Sequence, residues 1–239
     1  MNPTVSSEIG DGSAPGKAAR FDVAIAGGGY VGLSLALALK AGEPSLSVAI
    51  IDPAPPGAAA RDTRASAIAP AARRMLEALG VWQAIAGEAE AITEMVVTDS
   101  RLRDPVRPVF LTFAAEAPED GPLAHMVPNS VLVGQLAARA SEAGVVRITG
   151  AVADFTARSA GMDVTLADGS AFACSVLAAA DGAKSRLRAL AGIHTVGWDY
   201  GQSGIVATVE HELPHGGRAE EHFLPAGPFA ILPLPGNRA

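Results

Sequence analysis

The feature that most constrains this chain is a run of six residues, Gly27-Gly28-Gly29-Tyr30-Val31-Gly32, which places glycines at Gly27, Gly29 and Gly32 in a G-x-G-x-x-G spacing. Alone, that spacing is weak. Its setting makes it informative. Residues 21–26 before it are almost all apolar and read as a buried parallel strand. Residues 30–41 after it carry Leu33, Leu35, Leu37 and Leu39 with small residues between, and stop at Gly42. They predict a helix buried on most faces. Residues 47–51 read as a second buried strand, ending at Asp52. Strand, glycine turn, helix and strand make a βαβ unit, whose crossover is nearly always right-handed.

Each glycine has a physical role in such a unit. Gly27 allows a tight turn, Gly29 lets a pyrophosphate approach the backbone, and Gly32 lets helix and strand pack. The helix start offers free N–H groups and a partial positive charge to phosphate. A carboxylate at Asp52 can accept hydrogen bonds from a ribose diol. These features point to an adenine dinucleotide and leave FAD and NAD as alternatives.

Further along, residues 53–60 form a Pro/Gly/Ala loop, and a helix begins at Pro70 and closes at Gly80. After Ile92 the pattern changes to strands at 95–98 and 109–113, a β excursion rather than a further βα unit. That change disfavours a nicotinamide dehydrogenase. A helix over 129–143 with Leu132, Leu136 and Ala140 on one face leads to strands at 145–149 and 151–156. Asp168-Gly169 between apolar runs marks a hairpin. Its second run leads into Asp181-Gly182 and a short helix near 185–191. Strands are expected at 204–210, 219–224 and 229–232. Residues 1–19 read as a disordered tail and the whole as a truncated protein.

Composition excludes several classes. The net charge of −7 and pI near 5.2 disfavour a nucleic-acid partner. The single Cys174 lies in an apolar run and reads as a buried, inert thiol. No apolar stretch is long enough to span a bilayer. The histidines lack ligand spacing; His211 and His215 have Pro214 between them and read as loop residues, and no metal site is expected.

Ala180-Asp181-Gly182-Ala183-Lys184-Ser185-Arg186-Leu187-Arg188 contains A-D-G-x-x-S-x-x-R. Downstream of an N-terminal glycine fingerprint, this segment resembles the flavoprotein aromatic hydroxylases of the p-hydroxybenzoate hydroxylase type. Asp62-Thr63-Arg64-Ala65-Ser66-Ala67-Ile68 followed by Leu79-Gly80-Val81-Trp82, and the stretch from Tyr200 through Leu232-Pro233-Leu234-Pro235-Gly236, are similar to the ubiquinone-biosynthesis hydroxylases (the UbiH/UbiF/VisC group). The resemblance runs from about Phe21 to the end.

It implies a Rossmann-type α/β FAD-binding domain over 20–190, with the β excursion at about 92–125. The start of a β-rich substrate domain follows over 191–239. It implies FAD held by Gly27, Gly29, Gly32, Asp52, Arg64, Asn129, Asp181 and Gly182. No residue is catalytic in its own right, because the flavin carries the chemistry through a C4a-hydroperoxide. The implied reaction is hydroxylation of a polyprenyl phenol or benzoquinol on the route to ubiquinone, using O2 and electrons from NAD(P)H or a redox partner protein. A cytoplasmic protein peripheral to the inner membrane, or held in a biosynthetic complex, follows from the same resemblance. Plainer readings stand beside these roles. Asp181-Gly182 also suits an ordinary turn with Ser185 capping the next helix, Arg64 suits a surface loop, and Asn129 suits an N-cap. Another FAD-dependent oxidoreductase of the same superfamily, or a non-catalytic dinucleotide-binding module or inactive fragment, is the alternative as a whole.

Overall fold

The computed structural model describes residues 19–101, 103–114 and 121–239; the tail expected over 1–19 lies, except for residue 19, outside the described residues. Its central feature is a six-stranded sheet built on β1 (Arg20–Ala26) and β2 (Val48–Asp52). Val48, Ala49, Ile50 and Ile51 are all buried, as expected of a strand covered on both faces. The strand β1 pairs in parallel with β2 on one side and with β11 (Ala171–Ala179) on the other. The sheet extends from β2 to β8 (Val146–Thr149) and from β11 through the antiparallel β10 (Gly161–Leu166) to β9 (Val152–Arg158). The chain therefore leaves β1 in one direction and returns to its other edge much later. This is the switch point at which open α/β sheets leave a crevice beyond the strand ends.

Helix α1 (Tyr30–Gly42) crosses from β1 to β2 and packs against α4 (Asn129–Glu142). Gly32, Leu33, Ala36 and Leu37 are buried, whereas Val31 is 60% exposed and Leu35 38% exposed. The expectation of a helix buried on most faces is thus corrected. One stripe is covered by the sheet and α4, and the small residues let those elements approach closely. In α4, Leu132, Leu136 and Ala140 face the core as their spacing predicts.

Two smaller sheets follow. One joins β3 (Ala65–Ile68), β7 (Ala124–Pro128) and β4 (Glu90–Ile92). The other runs β13 (Gly227–Ile231), β12 (Arg218–Leu224), β5 (Glu94–Asp99), β6 (Val109–Ala114). The β excursion and the C-terminal strands therefore share a sheet, with β12 parallel to β5. Ile92, Met126, Ala219 and Leu234 make the core between these two sheets. Among the described residues the remaining α-helices are α2 (Pro70–Ala78), α3 (Trp82–Ile85) and α5 (Arg186–Leu190).

The strand expected over 204–210 does not form. Ile205 is 96% and Val206 75% exposed, and no ladder runs beside them. Branched residues favour an extended backbone, but a strand needs a partner for its amides. Only its end is paired, through Val209 with Ala239 and His211 with Asn237. Cys174 is fully buried, and burial pushes its thiol up. Among the described residues there is no cluster of side chains suited to a metal, and no helix is long and apolar enough to cross a membrane.

Candidate functional site

At the C-terminal ends of β1, β2 and β11 lies an open cleft of about 370 Å³. Its walls include Gly27, Gly29, Asp52, Asp181, Gly182 and Arg186. The three fingerprint glycines have different neighbours. Gly27 has φ +112°, and a Cβ there would lie 2.2 Å from the Ala180 carbonyl oxygen. A Cβ on Gly32 would lie 2.0 Å from the Gly27 carbonyl oxygen. Both glycines are demanded by backbone packing. Gly29 is not: its φ of −79° and ψ of −179° suit any residue, and a Cβ there meets nothing within 4 Å. The fold leaves that space open directly over the start of α1. No side chain caps this helix and its first turn holds no acid, so its leading amides remain available to an anion.

Asp52 is 16% exposed and interlocked with its surroundings. Its Oδ2 accepts from the Gly28 amide and its Oδ1 from the Ala54 amide, the latter at 2.8 Å. Beneath it, Arg147 on β8 places a guanidinium nitrogen 3.7 Å from Oδ1 and donates to the Ala54 carbonyl at 2.9 Å. The carboxylate is thus pinned at the rim while spare lone pairs remain for a diol. Gly28 is spatially confined too, since a Cβ there would sit 3.0 Å from the Asp52 side chain.

Across the cleft, Asp181 closes the turn after β11. Its Oδ2 accepts from the Arg186 and Leu187 amides at 2.9 and 3.2 Å, and its Oδ1 accepts from the Ser185 hydroxyl. Burial pushes this carboxyl upward, but these hydrogen bonds, with one from its own amide, outweigh it and the net shift is downward. The Ser185 hydroxyl oxygen also accepts from the Arg188 amide, so the expected N-cap is present. Asp181-Gly182 is accordingly both a capped turn and a cleft wall. Gly182 has φ +90° with open space around it. The arginine that completes the A-D-G-x-x-S-x-x-R spacing, Arg188, donates to the Ala183 carbonyl at 2.8 Å, while Arg186 lines the cleft.

Arg64 and Asn129 do not line this cleft. They form a separate cluster in which the Asp62 carboxylate, through its hydrogen bonds and charge, favours the charged Arg64, with Tyr30 at the start of α1 a minor contributor. Arg64 grips Asp62 with two bonds of 2.9 and 2.8 Å, and 68% of its side chain is exposed. The Arg64 bonds, chief among several causes, hold the Asp62 carboxyl far below the usual range. Asn129 is 6% exposed, donates to Asp62 at 3.1 Å and accepts from the Ser66 hydroxyl at 2.7 Å. The N-cap reading of Asn129 is corrected: Pro128 occupies the cap position, no side chain caps the helix, and the asparagine is the first helical residue. Sequence reasoning missed Asp62, Ser66, Arg147 and Arg186. Arg186 was within reach, two positions before a quoted motif arginine. Ser66 and Arg147 act through contacts between distant segments, and Asp62 through Arg64 two residues on as well as through Asn129.

The family model described as FAD binding domain matches residues 20–232. Ubiquinone hydroxylase UbiL of Rhodospirillum rubrum is 42% identical over 228 residues, covering 91% of this chain and 50% of that protein. The 3-demethoxyubiquinol 3-hydroxylase of Escherichia coli is 31% identical over 224 residues, covering 91% and 56%. Among solved structures, a mutant of P. aeruginosa PqsL matches with a TM-score of 0.76 at 21% identity, covering 92% of this chain and 59% of that one, a likeness of fold. The chain spans about half the length of the curated relatives it matches. The family match decides between the two dinucleotides left open by the glycines. With a cleft in which Gly29, alone of the three fingerprint glycines, meets no neighbour at its Cβ position, the chain belongs to the FAD binding domain family, and FAD is its cofactor.

Proposed function

We propose that this chain is the dinucleotide-holding part of an FAD-dependent aromatic monooxygenase whose substrate is a polyprenyl phenol or benzoquinol intermediate of ubiquinone biosynthesis. The observation that carries the reading is the open space at Gly29, framed by Asp52 on one side and Asp181-Gly182 on the other. Relatives named as ubiquinone-pathway hydroxylases support the substrate class. The α1 amides and Gly29 hold the pyrophosphate, Asp52 takes the ribose diol, and Gly27 and Gly32 fix the turn beneath. Gly182 and the Asp181 turn lie toward the redox ring, with Arg186 adding positive charge beside the phosphates. Arg64, oriented by Asp62 and Asn129, presents its exposed guanidinium to the cofactor at the start of α1. Bound FAD supplies the electron transfer and oxygen activation, with electrons from NAD(P)H or a redox partner protein. The protein binds, orients and excludes water.

Residues 20–190 form the FAD-binding domain in this reading. The excursion at about 92–125 joins 191–239 in the sheet on the substrate side. A cytoplasmic location peripheral to the inner membrane, or within a biosynthetic complex, fits a substrate that resides in the bilayer.

The test is a flavin absorbance spectrum of the purified protein after FAD loading, followed by oxygen uptake with a reductant and a prenylated phenol. Flavin binding with substrate-stimulated hydroxylation supports the reading. Flavin binding with no phenol-dependent product marks a non-catalytic module or another flavin oxidoreductase.

A further inference from the structure

The turn joining β5 to β6 combines charge and apolarity in a way that neither the fold nor the cleft uses. Arg101, Arg103 and Arg107 stand in it against one acid, Asp104, in a chain whose net charge is −7. The Asp104 carboxylate is already engaged, accepting from the Arg101 amide at 2.8 Å. Among the described residues, none of the three arginines forms an ion pair. Beside them Val106 is 73%, Val109 57% and Phe110 75% exposed. The strand β6 is the edge of its sheet and is exposed along its length. Arginines and the two prolines of the turn are a known defence of a sheet edge against aggregation. That defence accounts for the cations but not for a phenylalanine and two valines held out in water beside them. A longer exposed apolar stretch, residues 193–209, holds no Lys or Arg and so lacks this pairing.

We infer that the β5–β6 turn is an interfacial anchor that seats the protein on an anionic lipid bilayer. Its arginines meet headgroup phosphates, and Phe110 with the two valines enters the headgroup–acyl boundary. The anchor deepens the reading of a membrane-resident substrate, since it would bring the sheet on the substrate side to the surface where that substrate lies.

The test is co-sedimentation of the protein with vesicles of equimolar phosphatidylcholine and phosphatidylglycerol, and with vesicles of phosphatidylcholine alone. Binding is expected to the anionic vesicles, and to fall with added salt. Arg103→Gln should lower the partition coefficient roughly fivefold and Phe110→Ser about tenfold. All these side chains are exposed, so both variants should keep the parent's melting temperature and flavin affinity. Equal binding to both vesicle types, unchanged binding of the two variants, or retention only through an added protein would each overturn the anchor. Vesicle binding without flavin binding would instead sink the hydroxylase reading and leave the anchor standing.

Discussion

Replacing Gly29 by valine separates the demands of the fold from those of the ligand. Gly29 has an extended backbone and open space where a Cβ would stand, so the unliganded fold should accept the change. Removing a glycine also lowers the entropy of the unfolded chain. That gain is offset by the poorer N-cap propensity of valine at the start of α1, so stability should change by less than about 1 kcal/mol. The diphosphate, however, must approach the α1 amides where the branched side chain now stands. Losing two charge-assisted amide bonds at about 1.5–3 kcal/mol each weakens FAD binding by roughly 10²–10⁴-fold. Gly32→Ala is the control with the opposite signature. Its Cβ would lie 2.0 Å from a backbone oxygen, so strand and helix must separate. Such overpacking costs at least about 1–3 kcal/mol before any ligand is added. Thermal unfolding without flavin, paired with titration of FAD by its fluorescence, reads both quantities. Parent-like FAD affinity in Gly29→Val would refute the placement of the pyrophosphate. A large loss of unliganded stability in that variant would refute the claim that only the ligand requires this glycine.

Other perturbations address the remaining walls. Arg147→Met should weaken FAD binding by about 1 kcal/mol, roughly fivefold, by freeing the Asp52 carboxylate, while affinity for FMN, which lacks the adenosine half, stays unchanged. Ser185→Ala removes an N-cap and should cost about 1 kcal/mol in chemical denaturation. It should also raise the Asp181 carboxyl toward its ordinary value, visible in its NMR titration. Asp62 and Asp181 both have lowered folded values. Their contribution to stability is complete above the ordinary carboxylate value of about 4 and is lost as pH falls below it toward the folded values. Asp62→Asn should therefore flatten the acid limb of the stability–pH curve; an unchanged limb would show that the Asp62–Arg64 pair adds nothing. Cys174 should resist thiol reagents until the chain unfolds, and rapid labelling of the native protein would contradict its burial.

What could be read from the residues alone followed the range of the interactions involved. The run of β1, the leucines of α1 and the Asp168-Gly169 turn declare themselves locally, because a buried strand, a helix and a hairpin each have a short period or a turn residue. The short strands β3, β4 and β7 carry no such period, and they exist because each finds a neighbour across the chain. The converse holds at 204–210, where branched residues have the propensity of a strand but no partner for most of their length. The site divides in the same way. Glycine spacing announced Gly27, Gly29 and Gly32, but spacing could not tell which of them the fold itself requires. That distinction came from what stands opposite each one: the Ala180 carbonyl for Gly27, the Gly27 carbonyl for Gly32, and nothing for Gly29. The ties of Arg147 to Asp52 and of Asn129 to Asp62 were invisible for the same reason. Arg147 matters only because β8 lies beside β2, which brings its guanidinium under Asp52. Asp62 matters because Asn129, from the far side of the β excursion, reaches back to it. A motif therefore names positions where a ligand can be held, whereas the residues that hold those positions still are set by the order of strands in the sheet.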